Sequence, residues 1–322
     1  MIEVRGLRKR FGDVTALAGV DLDVAQGELF GLLGPNGAGK TTTIQLLTGL
    51  ARPDAGTIRI AGIDSTRRPR AAQHLIGVVP DESNLYPELT GFDNLCFCGA
   101  LYGMPARERK ERAAELLKTF GLSEAAGRLF AGYSKGMKRK LTVAAGIIQR
   151  PRILFLDEPT TGIDVASARA IRQLIAELRR TGTTILLTTH YIEEAERLCD
   201  RIAFLVAGRI VRCDTLANLI QPVQGNRVLQ LTVTGDAAAA CARLAPAFPQ
   251  IRFQALDGGD RIRAESRDEI RIGPLVRLLE QEGVGVLEAR LMRPTLEEIF
   301  VRETGIEAAV MSREKEKAGG GA

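Results

Sequence analysis

The chain has 322 residues, of which 45% are hydrophobic and 26% are charged, and its formal net charge at pH 7 is +5. This length can bury a large core and predicts two domains. No run of 18 apolar residues occurs, so we expect no membrane-spanning helix, and residues 1–4 lead into a predicted strand instead of a signal peptide. No basic patch is interleaved with aromatic residues, so we expect no nucleic-acid partner.

The cysteines and the distribution of charge suggest the environment of the chain. The cysteines are odd in number and scattered, which favours reduced thiols in the cytosol; they are Cys96, Cys98, Cys199, Cys213 and Cys241. Residues 221–322 carry a net charge of −1, which leaves +6 on residues 1–220. A mildly basic first part suits a nucleotide or an anionic lipid surface, and a solvated arginine-rich surface explains it equally well.

The first part of the chain predicts an antiparallel β layer. Val20, Leu22 and Val24 alternate as in a half-buried strand, and residues 2–7 supply a partner strand.

Residues 34–41 match the phosphate-loop pattern G-x-x-x-x-G-K-[ST] in full. They follow the apolar run 29–33 and precede a predicted helix at 42–47, so the motif has the strand–loop–helix context that it needs. Lys40 is suited to reach the β- and γ-phosphates, and the Thr41 hydroxyl to ligate Mg²⁺. The alternative is a glycine-rich turn before an ordinary helix. The predicted nucleotide-binding residues here are Gly34, Pro35, Asn36, Gly37, Ala38, Gly39, Lys40, Thr41 and Thr42.

From about residue 83 to 150 the pattern predicts a helical insert. Thr90 and Asp93 form a capping box, and an apolar stripe at residues 113–120 ends at Gly121. The loop at 133–137 then precedes a predicted helix that begins at the basic residues 138–140. Free N–H groups at a helix start favour an anion.

Residues 153–156 form a fully apolar predicted strand that ends in Asp157 and Glu158. Carboxylates at the end of a buried strand are costly unless they meet a cation or a reacting water. We expect Asp157 to hold Mg²⁺ through water and Glu158 to orient and polarise an attacking water. The alternative is an ordinary strand end, which the preceding phosphate loop makes less favourable.

An amphipathic helix over residues 171–178 ends at Gly182, and a strand at 183–189 leads to His190. Alternating strands and helices predict a parallel α/β sheet with its functional residues at the strand C-termini.

Five ordered motifs together resemble those of the ATPase subunit of an ATP-binding-cassette (ABC) transporter. They are the phosphate loop, the 133–137 loop, the acidic pair, residues 161–164 and His190, and the resemblance covers about residues 1–215. It implies a P-loop cassette with a mostly parallel sheet, an antiparallel β layer and a helical insert.

The resemblance also implies roles for single residues. Phe11 would stack on adenine, although without the resemblance such a phenylalanine is more often simply a core residue. Ser134 and Gly136 would bind the γ-phosphate of ATP held by a second subunit, and Asp164 would line the subunit interface. His190 would contact the γ-phosphate and complete a catalytic set with Glu158 and Lys40, although a lone histidine at a strand end is more often solvated.

Two departures from the family pattern concern the site. Asp81 stands where the family usually has Gln; we expect it to face Mg²⁺, and the alternative is that it caps the turn after Pro80. Lys135 and Met137 replace a glycine and a Gln of the 133–137 loop. Both variants resemble the daunorubicin-resistance-like exporter branch, whose small extra domain ends in a Leu-Glu-Glu-Ile/Val-Phe stretch, matched here at residues 296–300.

The predicted domains are an ATP-binding domain at 1–220 and an accessory domain at 226–304, with a linker at 221–225 and a disordered tail at 305–322. The accessory domain has a β-α-β-β-α-β order that predicts a ferredoxin-like module and a closing helix. It shows no catalytic constellation, so regulation, dimer support and a structural role stay open.

The resemblance implies a motor subunit that uses ATP and Mg²⁺. It would pair head to tail with a second copy of itself or a homologous cassette and bind separate transmembrane permease subunits at the cytoplasmic face of the membrane. It would export a drug, lipid, polysaccharide or ion. Alternatives are a soluble ABC-type ATPase acting on ribosomes, nucleic acid or repair complexes, and a non-hydrolysing nucleotide sensor. The former typically has two cassettes or a long coiled coil, which the sequence lacks.

Overall fold

A computed structural model describes residues 1–220, 227–256, 258–292 and 295–306. The chain divides into two units, one of Met1–Leu216 with the described residues from Phe300 onward, and one of Ala217–Ile299. The predicted linker and most of the predicted tail lie outside the described residues. None of the helices in the described ranges is both long and apolar enough to cross a lipid bilayer.

The strands up to residue 215 are β1 (Ile2–Phe11), β2 (Val14–Val24), β3 (Leu29–Leu33), β4 (Ala55–Ile60), β5 (Ile63–Asp64), β6 (Ile76–Val79), β7 (Ile153–Asp157), β8 (Thr184–Thr189), β9 (Arg201–Val206) and β10 (Arg209–Thr215). The helices up to residue 219 are α1 (Lys40–Leu47), α2 (Pro69–Gln73), α3 (Gly91–Leu101), α4 (Ala106–Thr119), α5 (Lys135–Gly146), α6 (Val165–Arg180), α7 (Ile192–Leu198) and α8 (Leu216–Leu219).

One sheet of the first unit is antiparallel, in the order β2-β1-β4-β5. Ile2 pairs with Val24 and Val4 with Leu22, and all four side chains are buried. The antiparallel β layer predicted from the alternation of apolar residues is therefore confirmed.

The main sheet of the first unit has the order β10-β9-β3-β8-β7-β6. Its neighbours from β9 to β6 are parallel, and β10 pairs antiparallel with β9 at one edge. Strands β3, β7 and β8 are buried at every residue, as the apolar runs 29–33 and 153–156 predict for the first two. Because the carboxyl ends of parallel strands meet at one edge, the loops after β3, β6, β7 and β8 lie together there.

The helical insert contains α3, α4 and α5. Thr90 caps α3 by accepting a hydrogen bond at Oγ1 from the backbone N–H of Asp93 at 3.0 Å, as the capping box predicts. Helix α5 begins at Lys135, three residues before the predicted start at the basic cluster. The prediction of that start was wrong because Ser134, not the basic residues, terminates the preceding loop and caps the helix.

The second unit contains β11 (Arg227–Val233), α9 (Ala237–Ala247), β12 (Arg252–Ala255), β13 (Arg261–Ser266), α10 (Ile272–Gln281) and β14 (Val286–Met292). Its sheet has the order β12-β13-β11-β14, and all its neighbouring strands are antiparallel. Buried side chains of the strands and both helices form its core, including Leu229, Ile262, Leu244 and Leu275. Helix α11 (Leu296–Thr304) follows β14.

Candidate functional site

The predicted phosphate loop lies between the end of β3 and the start of α1. Gly39 is the N-cap of α1 with a φ of 105°, a conformation that favours glycine. A Cβ at Gly39 would also lie 2.6 Å from the carbonyl oxygen of Ala16, so no other residue fits without moving the backbone. The loop closes through a hydrogen bond from the Ala38 N–H to the Pro35 carbonyl at 3.2 Å.

Lys40 is buried inside this loop. Its Nζ donates to the carbonyl of Gly34 at 2.8 Å and to that of Pro35 at 3.1 Å. It also lies 3.1 Å from Oε1 of Glu158, and both side chains are only 6% exposed. The loop therefore holds a desolvated positive charge in the position that a phosphate loop requires.

Glu158 follows β7 and is held from several sides. Its φ of 49° is rare for a residue other than glycine. Oε2 lies 2.6 Å from Nδ1 of His190 and accepts a hydrogen bond from Thr161 at 2.9 Å. Burial would raise the pKa of Glu158, but the His190 hydrogen bond and the charge of Lys40 lower the pKa to about 2. Since an ionised carboxylate only accepts hydrogen bonds, Nδ1 is the protonated nitrogen of His190.

Asp157 is buried at the end of β7 and accepts a hydrogen bond from the Thr188 hydroxyl. Burial raises the pKa of Asp157, hydrogen bonds from Thr188 and Thr41 lower it, and the negative charges of Glu158 and Asp81 raise it further. The hydroxyl of Thr41 and the carboxylate of Asp81 thus both act on the carboxylate of Asp157.

This donor set fits Mg²⁺, which is bound by hard oxygen ligands from one or two carboxylates together with substrate phosphates. Among the described residues, no group of three or more His, Cys, Asp or Glu side chains could hold a metal ion. Thr41, Asp157 and Asp81 would therefore hold Mg²⁺ only together with the oxygens of a nucleotide.

Arg139 of α5 is a site residue that the sequence interpretation missed. Its side chain is buried beside the loops that carry Asp81 and Glu158. The guanidinium donates hydrogen bonds to four backbone carbonyls of those loops. The sequence signal was its spacing: Arg139 lies three residues after Gly136 and four before Val143, on the buried side of α5.

Ser134, Gly136 and Asp164 form a second group at the starts of α5 and α6. Ser134 is exposed and caps α5 by accepting from the Met137 N–H at 3.3 Å. Asp164 is exposed and caps α6 by accepting from the Ser167 N–H at 2.9 Å. Gly136 packs so tightly on Ser167 that a Cβ would lie 2.2 Å from its Oγ.

Three further residues of the predicted nucleotide site, Phe11, Thr42 and Asn36, are partly exposed. Phe11 ends β1, and its side chain is 50% exposed, so the ring is available for stacking. The Nζ of Lys9 lies 5.2 Å from the centre of that ring. Thr42 is half-buried in the first turn of α1, and Asn36 is half-buried in the loop.

Comparisons with known proteins show which family this chain resembles. The protein-family model for ABC transporters matches residues 17–161. The linearmycin resistance ATP-binding protein LnrL of Bacillus subtilis is 36% identical over 95% of this chain and 98% of that protein. The daunorubicin/doxorubicin resistance ATP-binding protein DrrA of Streptomyces peucetius is 39% identical over 98% and 95%, respectively. The Nod factor export ATP-binding protein I of Ralstonia nicotianae is 38% identical over 95% and 94%.

Two solved structures are similar as well. An ATP-binding subunit of an ABC transporter is 33% identical with a TM-score of 0.63, over 68% of this chain and 91% of that chain. The ATP-binding cassette MJ0796, in a dimeric post-hydrolysis state bound to ADP and Pi, is 28% identical with a TM-score of 0.63, over 67% of this chain and 99% of that chain.

The fold and the phosphate loop define a P-loop ATPase of the cassette type. The chain belongs to the ABC transporter family. It binds ATP and hydrolyses it in a reaction coupled to transport, as the ATPase prediction stated.

Proposed function

We propose that this chain is the motor subunit of an exporter and that Lys40, Glu158 and His190 carry out ATP hydrolysis. The observation that supports this assignment best is the buried arrangement in which Glu158 contacts both Lys40 at 3.1 Å and His190 at 2.6 Å. A desolvated carboxylate between two such partners is suited to accept a hydrogen bond from an attacking water.

ATP binding changes the partners of these residues in our proposal. The γ-phosphate carries more negative charge than Glu158, so Lys40 moves from Oε1 of Glu158 to the phosphate oxygens. Glu158 then keeps the hydrogen bond from His190 and gains a free oxygen for water. His190 holds the carboxylate in orientation through its Nδ1–H, and with a second proton on the ring its Nε2–H donates to the phosphate.

Mg²⁺ would be held by Thr41, Asp157 and Asp81 together with the phosphates, and it would neutralise their charge. The Thr41 hydroxyl lies near enough to Asp157 to lower the pKa of its carboxyl, so the two groups face the same part of the site. Phe11, half exposed at the end of β1, would stack on the adenine ring.

We propose that two cassettes pair head to tail around two ATP molecules. Each ATP would lie between the phosphate loop of one subunit and Ser134 and Gly136 of the other, with Asp164 beside them. The exposure of Ser134 and Asp164 at neighbouring helix starts supports a surface contact, and the similar cassette MJ0796 is dimeric. The partner is a second copy or a homologous cassette.

The names of the relatives support the proposed transport direction and membrane partner. These relatives are proteins of linearmycin resistance, daunorubicin/doxorubicin resistance and Nod factor export. We therefore propose export of a drug, lipid, polysaccharide or ion through separate permease subunits, with this chain at the cytoplasmic face of the membrane.

For the second unit we propose a ferredoxin-like module. The order β12-β13-β11-β14 with antiparallel neighbours, and helices between the first and second and between the third and fourth strands of the sequence, supports this topology.

Two experiments test the proposed function. The first compares steady-state phosphate release and equilibrium ATP binding in the parent and in Glu158→Gln; unchanged turnover in the variant rejects the role of Glu158. The second identifies the protein that co-purifies with this chain from detergent-solubilised membranes. Recovery of a ribosomal or repair complex instead of a membrane protein would reject the exporter assignment.

A further inference from the structure

Arg139 makes an unusual set of contacts for a single side chain. It is only 6% exposed, although it carries a charged group. Its Nε donates to the carbonyl of Pro159 at 2.7 Å and its Nη2 to that of Asp157 at 2.8 Å. Its Nη1 donates to the carbonyls of Pro80 and, at 2.9 Å, Asp81. A buried guanidinium is stable only when its donors are satisfied in this way.

These four carbonyls belong to two loops of the site. Pro80 and Asp81 follow β6, and Asp157 and Pro159 stand on either side of Glu158 after β7. The contacts therefore fix the backbone around Glu158 without touching its carboxylate. They are made where Glu158 has its φ of 49°, a conformation that needs support from its surroundings.

Arg139 is also linked, through helix α5, to Ser134. Arg139 is five residues after Ser134, the N-cap of α5, and both belong to one continuous helical segment. Helices are stiff over this distance, so a displacement of Ser134 also displaces the guanidinium. One side chain thus joins the start of α5 to the loops of Asp81 and Glu158.

We propose that Arg139 is a positioning residue that holds Glu158 in its catalytic orientation and ties its loop and the Asp81 loop to the helix that carries Ser134. This inference rests on the role proposed above for Glu158. In a dimer, the ATP that the partner subunit holds would contact Ser134. Through α5 and Arg139 it would then influence Glu158, which serves the other ATP site.

Lysine cannot reproduce the four hydrogen bonds that Arg139 donates to backbone carbonyls, because its ammonium is a point charge with three donors. We therefore expect both Arg139→Met and Arg139→Lys to lower kcat by about 10²-fold, because Glu158 loses its orientation. The ATP dissociation constant should stay within about threefold of the parent value, because Arg139 does not contact the phosphate loop.

Arg112→Met is the matched control. Arg112 also has a largely buried guanidinium, with 13% of the side chain exposed, and it pairs with Glu115 in the helical insert. We expect this variant to keep the parent kcat. Thermal unfolding of all variants identifies any that do not fold, and Arg139→Lys, which retains the buried charge, decides the result if Arg139→Met fails to fold.

The decisive measurement is a double-mutant cycle with Glu158→Gln. If Arg139 acts through Glu158, Arg139→Lys should lower turnover about 10²-fold in the parent and less than about threefold in the Glu158→Gln protein. Equal losses in the two backgrounds, or parent turnover in Arg139→Lys, would overturn the inference. Parent turnover in Glu158→Gln itself would reject the proposed function, which is a separate result.

Discussion

The ammonium of Lys40 and the carboxylate of Glu158 form a buried ion pair at 3.1 Å. Two groups with separate expected roles, one toward phosphate and one toward water, are thus each other's partners in this structure. Because an unpaired buried charge is costly, each stabilises the other until ATP replaces one of them.

The first prediction concerns this pair. In Glu158→Gln the neutral amide holds the ammonium less strongly, so ATP binding should be at least as tight as in the parent, while turnover falls by about 10²–10⁴. In Lys40→Ala ATP binding itself should weaken, since the charge that faces the phosphates is gone. Equilibrium binding and steady-state phosphate release measure both. Parent ATP affinity in Lys40→Ala would reject the phosphate-loop assignment.

The second prediction concerns acid stability. The pKa of Glu158 is about 2 in the folded chain, below the ordinary value of 4.5. Its ionised form therefore stabilises the fold fully above about pH 4.5, and this contribution is lost as the pH falls toward 2. Urea denaturation from pH 6 to pH 3 should show a steeper loss of unfolding free energy in the parent than in Glu158→Gln.

The raised pKa of Asp157 acts in the opposite direction, and the charge of Glu158 is one of its causes. Glu158→Gln therefore lessens this opposing effect, which offsets part of the difference between the two curves. Glu193→Gln is the matched control, because Glu193 is exposed and pairs with Arg197 at the surface. Its curve should run parallel to that of the parent. Parallel curves for the parent and Glu158→Gln would contradict a strongly lowered Glu158 pKa.

The third prediction concerns the contact between Gly136 and Ser167. A methyl group at Gly136 would meet Oγ and Cβ of Ser167 at 2.2 and 2.9 Å, so Gly136→Ala should push α5 from α6 and lower both stability and turnover. Adding Ser167→Gly should restore part of each. Gly132→Ala is the control, since its nearest neighbour would be a side-chain atom of Arg128 at 3.9 Å. No recovery in the double variant would show that the contact is unimportant.

Much of the first unit could be predicted because β2 alternates apolar and polar residues, β3 and most of β7 are apolar runs, and the phosphate loop has a fixed spacing. The acidic pair and His190 could be placed because parallel strands end at one edge. The contacts of Arg139 could not be predicted, because they depend on backbone carbonyls from two distant loops. Its position beside Lys138 indicated only a basic helix start, whereas the structure buries the guanidinium.

The ion pair of Lys40 could not be predicted for a related reason. A sequence pattern gives the role of each side chain toward a ligand, but not its partner before the ligand binds. The helix start at Lys135 was missed because Ser134 was interpreted as a phosphate contact alone. Its Oγ accepts from the Met137 N–H and still has a hydrogen to donate, so both roles are compatible.

The fourth prediction concerns assembly. If Ser134 acts only across a dimer, a Ser134→Arg subunit mixed with a Lys40→Ala subunit places both lesions in one composite site and leaves the other site intact. This heterodimer should keep partial turnover, whereas each mutant homodimer should be nearly inactive. Differentially tagged subunits purified in two affinity steps give the measurement. A heterodimer as inactive as both homodimers would contradict two independent composite sites.

The fifth prediction concerns Asp81, where the family usually has Gln. The backbone of Asp81 is anchored through its carbonyl to Arg139 at 2.9 Å, and its charge raises the pKa of Asp157. Asp81→Gln should therefore keep the loop in place while removing a negative charge that repels phosphate. An amide still offers an oxygen ligand. We expect the variant to be active and to need less Mg²⁺ for half-maximal hydrolysis.

The measurement is hydrolysis against Mg²⁺ at fixed ATP, with and without the co-purified membrane subunit. Glu82→Gln is the matched control, because Glu82 is the adjacent exposed carboxylate and should leave the curve unchanged. If the Asp81→Gln and parent curves superimpose in both settings, Asp81 lies outside the metal shell and only caps the turn after Pro80. A shift that requires the membrane subunit would instead mean that the loop responds to that partner, because a direct metal ligand changes the Mg²⁺ requirement of the isolated chain as well.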